Sequence, residues 1–257
     1  MSWTYLACLN PDPVLDDMTL TELEGQKTMR RIYSLDQKYY GFPDPNHAKR
    51  DGLIAFGGDL SPKRLLSAYS QGIFPWYSPG EPILWWSPDP RFLLFPHKFH
   101  ISKSLSKAIR KMNFTITMDQ AFEQVIQECA NIRKENDSGT WITSNMIRAY
   151  SELFDMGFAH SIETWIDGEL AGGLYGISLG RMFSGESMFF RKSNASKVAL
   201  FALVAFARSY QFDFIDCQVY TSHLKSFGAE NIPRNIFLQL LTKTLKHENL
   251  QGRWIYD

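Results

Sequence analysis

HSIETWIDGELAGGLYGISLGRMFSGESMFF, residues 160–190, reads as three consecutive strands and decides the class of fold. His160 to Ile166 and Glu169 to Ser178 flank Asp167-Gly168, a dipeptide suited to the left-handed backbone of a two-residue hairpin turn. Arg181 to Phe190 continues the sheet. Upstream, the periodicity predicts helices over Lys103 to Lys111, Asp119 to Ala130 (opened by Asp119 as its cap) and Ser144 to Met156, with a strand over Phe114 to Met118. Downstream, Asn194 begins a long apolar helix to about Ser209, followed by a short buried strand, Phe212 to Val219, and a final helix near Arg234 to Lys246. Helices on a mostly antiparallel sheet make an α+β (mixed α/β) fold.

The other end of the chain has a different texture. Phe42 to Pro96 is dense in Pro and Gly, with one clear helix, Lys63 to Gln71, after the Ser61-Pro62 start signal. Aromatic residues crowd between Phe74 and Phe99. This predicts a small loop-rich domain over residues 1–96, whose first 40 or so residues form a polar, variable extension, and a second domain over 97–257. No internal repeat or low-complexity tract interrupts either.

Composition excludes several classes of function. The 257 residues are 44% hydrophobic and 21% charged, as in ordinary globular chains. Basic and acidic residues each number 27, so any contact with RNA has to come from a local patch. The three cysteines, Cys8, Cys129 and Cys217, lack CxxC spacing, which argues against a disulfide framework or a zinc site and for a reducing compartment. The six histidines show no HxxxH spacing, so metal catalysis is not expected. Gly57-Gly58-Asp59 has the spacing of neither a P-loop nor a dinucleotide fingerprint. No stretch approaches the ~20 apolar residues of a membrane span, and the expected location is the cytoplasm.

Polar residues inside apolar strands mark the candidate chemistry. In an extended strand Asp216 and Gln218 share one face, about 7 Å apart at Cα, and Cys217 points the other way as a core thiol. A carboxylate and an amide beside Phe214, Ile215 and Val219 need polar partners if buried, which fits a structural pair and a catalytic pair equally well. Glu186 lies in Gly185-Glu186-Ser187-Met188-Phe189, and alternation puts it on the face of Met188 and Phe190. It reads either as an edge-strand surface acid or as an acid bordering an apolar cleft. Lys98, Lys103, Lys107, Arg110 and Lys111 fall largely on one helical side, and Arg191, Lys192 and Lys197 occupy a strand-to-helix junction whose free N–H groups add anion affinity. Solvated surface accounts for such runs, and so does a phosphate backbone. Trp76, Trp85, Trp86 and Trp141 suit core packing or base stacking.

The stretch GDLSPKRLLSAYSQGIFPWYSPGEPILWWSPDPR, residues 58–91, resembles the leucyl/phenylalanyl-tRNA to protein transferase family. So do Gly139 to Thr143, His160 to Glu163, Gly172 to Gly176, Gly185 to Phe189, Asn194 to Lys197 and Ile215 to Val219, in order from about Phe42 to about Asn235. The resemblance implies a small N-terminal domain before an acetyltransferase-like (GNAT-like) domain. It implies no cofactor and no metal. The implied partners are an aminoacyl-tRNA carrying Leu, Phe or Met, engaged through its 3′ end and acceptor stem, and acceptor proteins with N-terminal Arg or Lys. The implied product is an N-end rule degradation signal, made in the cytoplasm by a monomer.

Carried over residue by residue, the resemblance makes Asp216 and Gln218 a catalytic pair and Glu186 an essential acid. It puts Tyr69, Trp76, Trp141 and Tyr150 at or near the aminoacyl-adenosine site, and Leu174, Met188, Leu203, Ala207 and Ile215 around the amino-acid side chain. Lys107, Arg110 and Lys111 match its tRNA-binding cluster. Thr221 stands where the family usually has Asn, and Leu203 and Ala207 replace bulkier aromatics, so the pocket is expected to be wider or differently shaped. Two rivals are a transferase on this fold with another acceptor, and a tRNA-binding module without activity. The absence of a glycine-rich pyrophosphate loop after Phe190 weighs against coenzyme A in the first. Retention of Asp216, Gln218 and Glu186 weighs against the second.

Overall fold

The computed structural model describes residues 32–111, 114–135 and 140–256, apart from the side chains at 104, 108, 110, 111, 133 and 134. Most of the expected N-terminal extension falls outside these residues. The chain divides into two compact units, Met1–Asp89 and Pro90–Asp257. The division precedes the composition change at Pro96 because the strand that begins at Arg91 pairs within the second sheet.

The first unit is less loop-like than its composition suggests. β1 (Tyr33–Leu35), β2 (Leu53–Gly57), β3 (Phe74–Pro75) and β4 (Leu84–Trp86) form a four-stranded sheet in the order β1-β2-β4-β3, with α1 (Pro62–Ser70) between β2 and β3. Such short strands leave no periodicity to read, and polar anchors hold them. The buried Arg64 of α1 bonds the Asp59 carboxylate and the Asp36 carbonyl, and the Trp85 indole donates to the Gly57 carbonyl at 2.9 Å. Tyr69 is buried on α1, whereas Trp76, just past β3, is 45% exposed.

In the second unit come β5 (Arg91–Leu94), α2 (Lys103–Lys111), β6 (Thr115–Met118), α3 (Phe122–Glu135) and α4 (Ser144–Asp155). They are followed by β7 (Ala159–Ile166), β8 (Glu169–Leu179), β9 (Met182–Phe190), α5 (Ala195–Ser209), β10 (Phe214–Asp216), α6 (Ser222–Lys225), β11 (Glu230–Ile232) and α7 (Arg234–Thr244). The seven strands run β11-β5-β10-β9-β8-β7-β6, all antiparallel except β9 with β10. Asp167 and Gly168 both have positive φ, 52° and 80°, as the hairpin between β7 and β8 requires. A Cβ on Gly172 would meet Ala195 of α5 and one on Gly173 would meet Val125 of α3, so these helices cover opposite faces of the sheet. The fold is mixed α/β, with a mostly antiparallel sheet flanked by helices.

Three local expectations are corrected. Asp119 does not cap α3: its φ is 56°, and its carboxylate accepts from the Ser161 and Trp254 amides and from His160 Nδ1. β10 stops at Asp216, because Gln218 takes a left-handed φ of 62°. Glu186 does not share a face with Met188. Tyr175 pairs with Ser187 and Gly176 with Gly185, which leaves Glu186 as the extra residue of a β-bulge. Phe183 and Met188 therefore both pack on the apolar cluster beneath α5, while Glu186 turns to Tyr150 of α4.

The chain end is tied down at His160. Its imidazole is buried, stacks on Trp254 with centroids 3.7 Å apart, and donates through Nδ1 to Asp119. Burial lowers its pKa from the ordinary 6.5, opposed only in part by Asp119 and the Gly157 backbone. As the pH falls, the unfolded chain therefore takes up this proton first. Stability should be at its full value above about pH 6.5 and drop below it by at most about 1.4 kcal/mol per pH unit. Urea unfolding across pH 7.5 to 5 measures this, and His160→Gln should flatten the slope.

Candidate active site

Arg91 opens β5 as a charged residue in an otherwise apolar run, and its partner is Asp216 at the end of β10. The guanidinium donates through Nε to Oδ1 at 2.8 Å and through NH2 to Oδ2 at 2.6 Å. Each residue is 1% exposed. Such a pair survives away from water only with bidentate geometry and satisfied lone pairs. Asp216 Oδ1 also accepts the Gln218 backbone N–H at 2.9 Å, closing a turn of the kind aspartate makes two residues ahead of itself. The turn holds Gln218 in its left-handed conformation, which is uncommon for a residue with a side chain.

The chain stays on β5 through this turn. Cys217 N donates to the Phe92 carbonyl at 2.9 Å, and Phe92 N donates to the Gln218 carbonyl at 3.3 Å. Cys217 turns to the apolar cluster, and burial, reinforced by Asp216, pushes its thiol pKa up, so it is no nucleophile. Gln218 Nε2 donates to Glu186 Oε1 at 2.8 Å and lies 3.4 Å from Ser184 Oγ. Glu186 Oε2 accepts the Tyr150 hydroxyl at 3.0 Å. The structure thus joins Asp216, Gln218, Glu186 and Tyr150, named from sequence, with Arg91 and Ser184, which were not. The apolar run after Arg91 was the available signal for it, because a buried cation demands a partner. Nothing in the sequence pointed to Ser184.

The Gln218 amide oxygen accepts no hydrogen bond among the described residues. β10 ends where this amide begins, while β9 continues to Phe190, so the parallel pair opens into a fork beside Glu186. On the other face, Leu174, Leu203, Ala207 and Ile215 belong to one buried apolar cluster, and Met188 packs against it half-buried. Trp141 is half-buried in the segment before α4, whose first turn is capped by Thr143. Thr221 caps α6, accepting from Leu224 N at 3.1 Å. Tyr69 and Trp76 lie in the first unit.

The basic candidates divide. Lys107 is exposed on α2, and the side chains of Arg110 and Lys111 lie outside the described residues. Lys98 pairs with Glu230, and Arg191 with Glu128 and Glu135, where its hydrogen bonds and charge hold the Glu135 carboxyl below its ordinary range. Among the described residues no cluster of three or more His, Cys, Asp or Glu is arranged to hold a metal ion, and no helix is long and apolar enough to cross a membrane.

A carboxylate–amide network and an apolar cluster thus flank the fork, and comparison with known proteins shows the family. The model of the leucyl/phenylalanyl-tRNA protein transferase family matches residues 93–242, and that of its N-terminal domain matches 58–89. A leucyl/phenylalanyl-tRNA–protein transferase of Desulfatibacillum aliphaticivorans is 57% identical over 87% of this chain and 95% of its own. Those of Syntrophus aciditrophicus (strain SB) and Legionella pneumophila (strain Corby) are 55% and 54% identical, over 83% and 85% of this chain and 89% and 97% of their own. An aminoglycoside acetyltransferase from a soil metagenomic sample aligns with a TM-score of 0.35 at 11% identity, over 44% of this chain and 84% of its own. The chain belongs to the leucyl/phenylalanyl-tRNA protein transferase family, a family of transferases.

Removing one member of the Arg91–Asp216 pair strands a charge in the interior. Arg91→Met should cost about 3 to 5 kcal/mol of stability, and the Arg91→Met/Asp216→Asn double variant should recover a large part of it. Chemical denaturation of the three proteins checks this. A double variant as unstable as the single one would mean that Arg91 acts through packing and not through its charge.

Proposed function

We propose that this chain transfers Leu, Phe or Met from the 3′ end of an aminoacyl-tRNA to the α-amino group of proteins that begin with Arg or Lys, creating an N-end rule degradation signal in the cytoplasm. Membership of the family supports the reaction class. The observation that carries the reading is the Gln218 amide, whose nitrogen is engaged by Glu186 and whose oxygen is left free at the fork.

An N-terminal amine titrates near pH 7.7 to 8, so a sizeable fraction must lose a proton before it can attack. In this reading the amide oxygen of Gln218 accepts one N–H of the neutral amine and aims its lone pair at the ester carbonyl. The C–N bond forms, the bond from the carbonyl carbon to the ribose 3′-oxygen breaks, and the proton displaced from the amine ends on that oxygen. Gln218 is no base, so positioning supplies most of the acceleration. Asp216 acts through the Gln218 backbone and is a positioning residue. Glu186 fixes the amide and offers negative charge toward a cationic acceptor, which favours Arg or Lys at its first position.

Leu174, Met188, Leu203, Ala207 and Ile215 form the proposed side-chain pocket. One methylene is worth only ~1 to 3 kcal/mol in such a site, so overlapping use of Leu, Phe and Met follows. Flexible Met188 adapts to each of them. Trp141 and Tyr150 are the proposed aromatic contacts of the aminoacyl-adenosine within the second unit. Lys107, Arg110 and Lys111 are the proposed contacts of the acceptor stem.

Radiolabelled Leu or Phe should pass from charged tRNA to a peptide beginning with Arg and not to one beginning with Asp. Gln218→Ala should lower kcat about 100-fold at saturating substrates, near 2.7 kcal/mol of barrier. Asp216→Asn, which keeps an acceptor for the turn, should retain more activity than Asp216→Ala. Unchanged turnover in both Ala variants would sink the assignment. Filling the pocket with Ala207→Leu should reduce use of Phe relative to Leu about tenfold, read from the two kcat/KM values.

A further inference from the structure

Beyond Gly185, β9 has β8 on one edge and no strand on the other among the described residues, because β10 ends at Asp216. A cavity of about 340 Å³ lies beside this open edge, lined by Met188, Phe190, Asn194, Ser196, Lys197 and His223. Three features suit it to an anionic occupant. Asn194 opens α5 at a left-handed φ of 68° without a side-chain cap, and the Ser196 and Lys197 amides have no acceptor among the described residues. These are the free donors at the positive end of a 15-residue helix. The Ser196 side chain, 4% exposed, has no hydrogen-bond partner among the described residues. Lys197 is half-buried and has no carboxylate partner among them, whereas Arg191 on the same junction is held by Glu128 and Glu135. His223 adds an imidazole, kept below its ordinary pKa by burial and by Lys197.

We propose that this cavity binds the phosphodiester on the 5′ side of the donor's terminal nucleotide, with Lys197, the Ser196 hydroxyl and the first free amides of α5 as its ligands. The inference rests on the transferase reading above. Met188 follows Glu186 by two residues across the bulge, and Phe190 stands two strand rises, about 7 Å, further along β9. An ester at the fork and a phosphate at the start of α5 would thus span one nucleoside along the open edge, with Met188 and Phe190 as the apolar wall against its sugar. A free phosphate or a mononucleotide presents the same chemistry, and the measurements below tell these apart from a donor phosphate.

The test uses the full chain and two minimal donors, 3′-aminoacylated adenosine with and without a 5′-phosphate. The wild type should use the phosphorylated donor with a kcat/KM on the order of tenfold higher. Lys197→Gln should bring that ratio close to one, Lys197→Arg should keep most of it, and Ser196→Ala should reduce it part of the way. Calorimetry with adenosine and adenosine 5′-monophosphate should show the same preference in the wild type and its loss in Lys197→Gln, and inorganic phosphate should compete with the nucleotide alone. An equal ratio in wild type and Lys197→Gln by both readouts overturns the proposal. So does binding of inorganic phosphate without any advantage of the monophosphate over adenosine. No transfer from either donor would instead defeat the transferase reading, and the calorimetry would still decide the phosphate site.

Discussion

Arg91 and Asp216 begin one strand and end another, and their side chains meet where neither can be solvated. Two charges removed from water stabilise little on balance, but they tolerate almost no displacement, since each must keep both hydrogen bonds to offset its desolvation. That intolerance fixes where β10 can stop. Asp216 spends one oxygen on the Gln218 amide as well as on Arg91, and the chain turns there. The turn sends the Gln218 side chain toward β9, where Glu186 receives it. The fork between β9 and β10, the free amide oxygen and the open edge beyond them all follow from one ion pair.

A second irregularity, on β9, is as consequential. With strict alternation Glu186 would point under α5 with Met188, and its carboxylate would sit in the apolar cluster. The bulge shifts the alternation by one residue, so that the acid turns to Tyr150 and the thioether to Leu174 and its neighbours. Gly176 permits this: a Cβ there would stand 2.1 Å from the Ser184 carbonyl. Polar and apolar functions are separated across a single sheet by one extra residue in one strand.

The regular parts of this architecture were legible from the sequence because they repeat. The Asp167-Gly168 hairpin, the apolar run after Asn194 and the helix after Thr143 each carry a period or a turn residue that local physics enforces. The four-stranded sheet of the first unit was not, since strands of two to five residues hold too little alternation to register. Asp119 looked like a helix cap because Asp is a good one, yet three donors from β7 and the chain end, far away in sequence, claim its carboxylate. At the candidate site, Asp216, Gln218 and Glu186 could be named from resemblance, but the way they join could not. Strand alternation placed Asp216 and Gln218 on one face, and the left-handed turn and the bulge that connect them to Glu186 are exceptions to alternation.

Zero net charge does not stop such a chain from holding an anion, because what matters is which cations lack partners. Arg191 and Lys197 are six residues apart on one strand-to-helix junction and look equivalent in sequence. Arg191 lies across two glutamates of α3, its donors directed away from any phosphate. Lys197 stands at the start of α5, where the helix supplies partial charge of the same sign and cannot supply a counterion. Gly172 and Ala195 let that helix end approach the sheet more closely than any larger pair would permit, which brings the unpaired amides to the cavity wall. The local field thus comes from packing of small residues as much as from the lysine, and counting charges along the sequence passes over it.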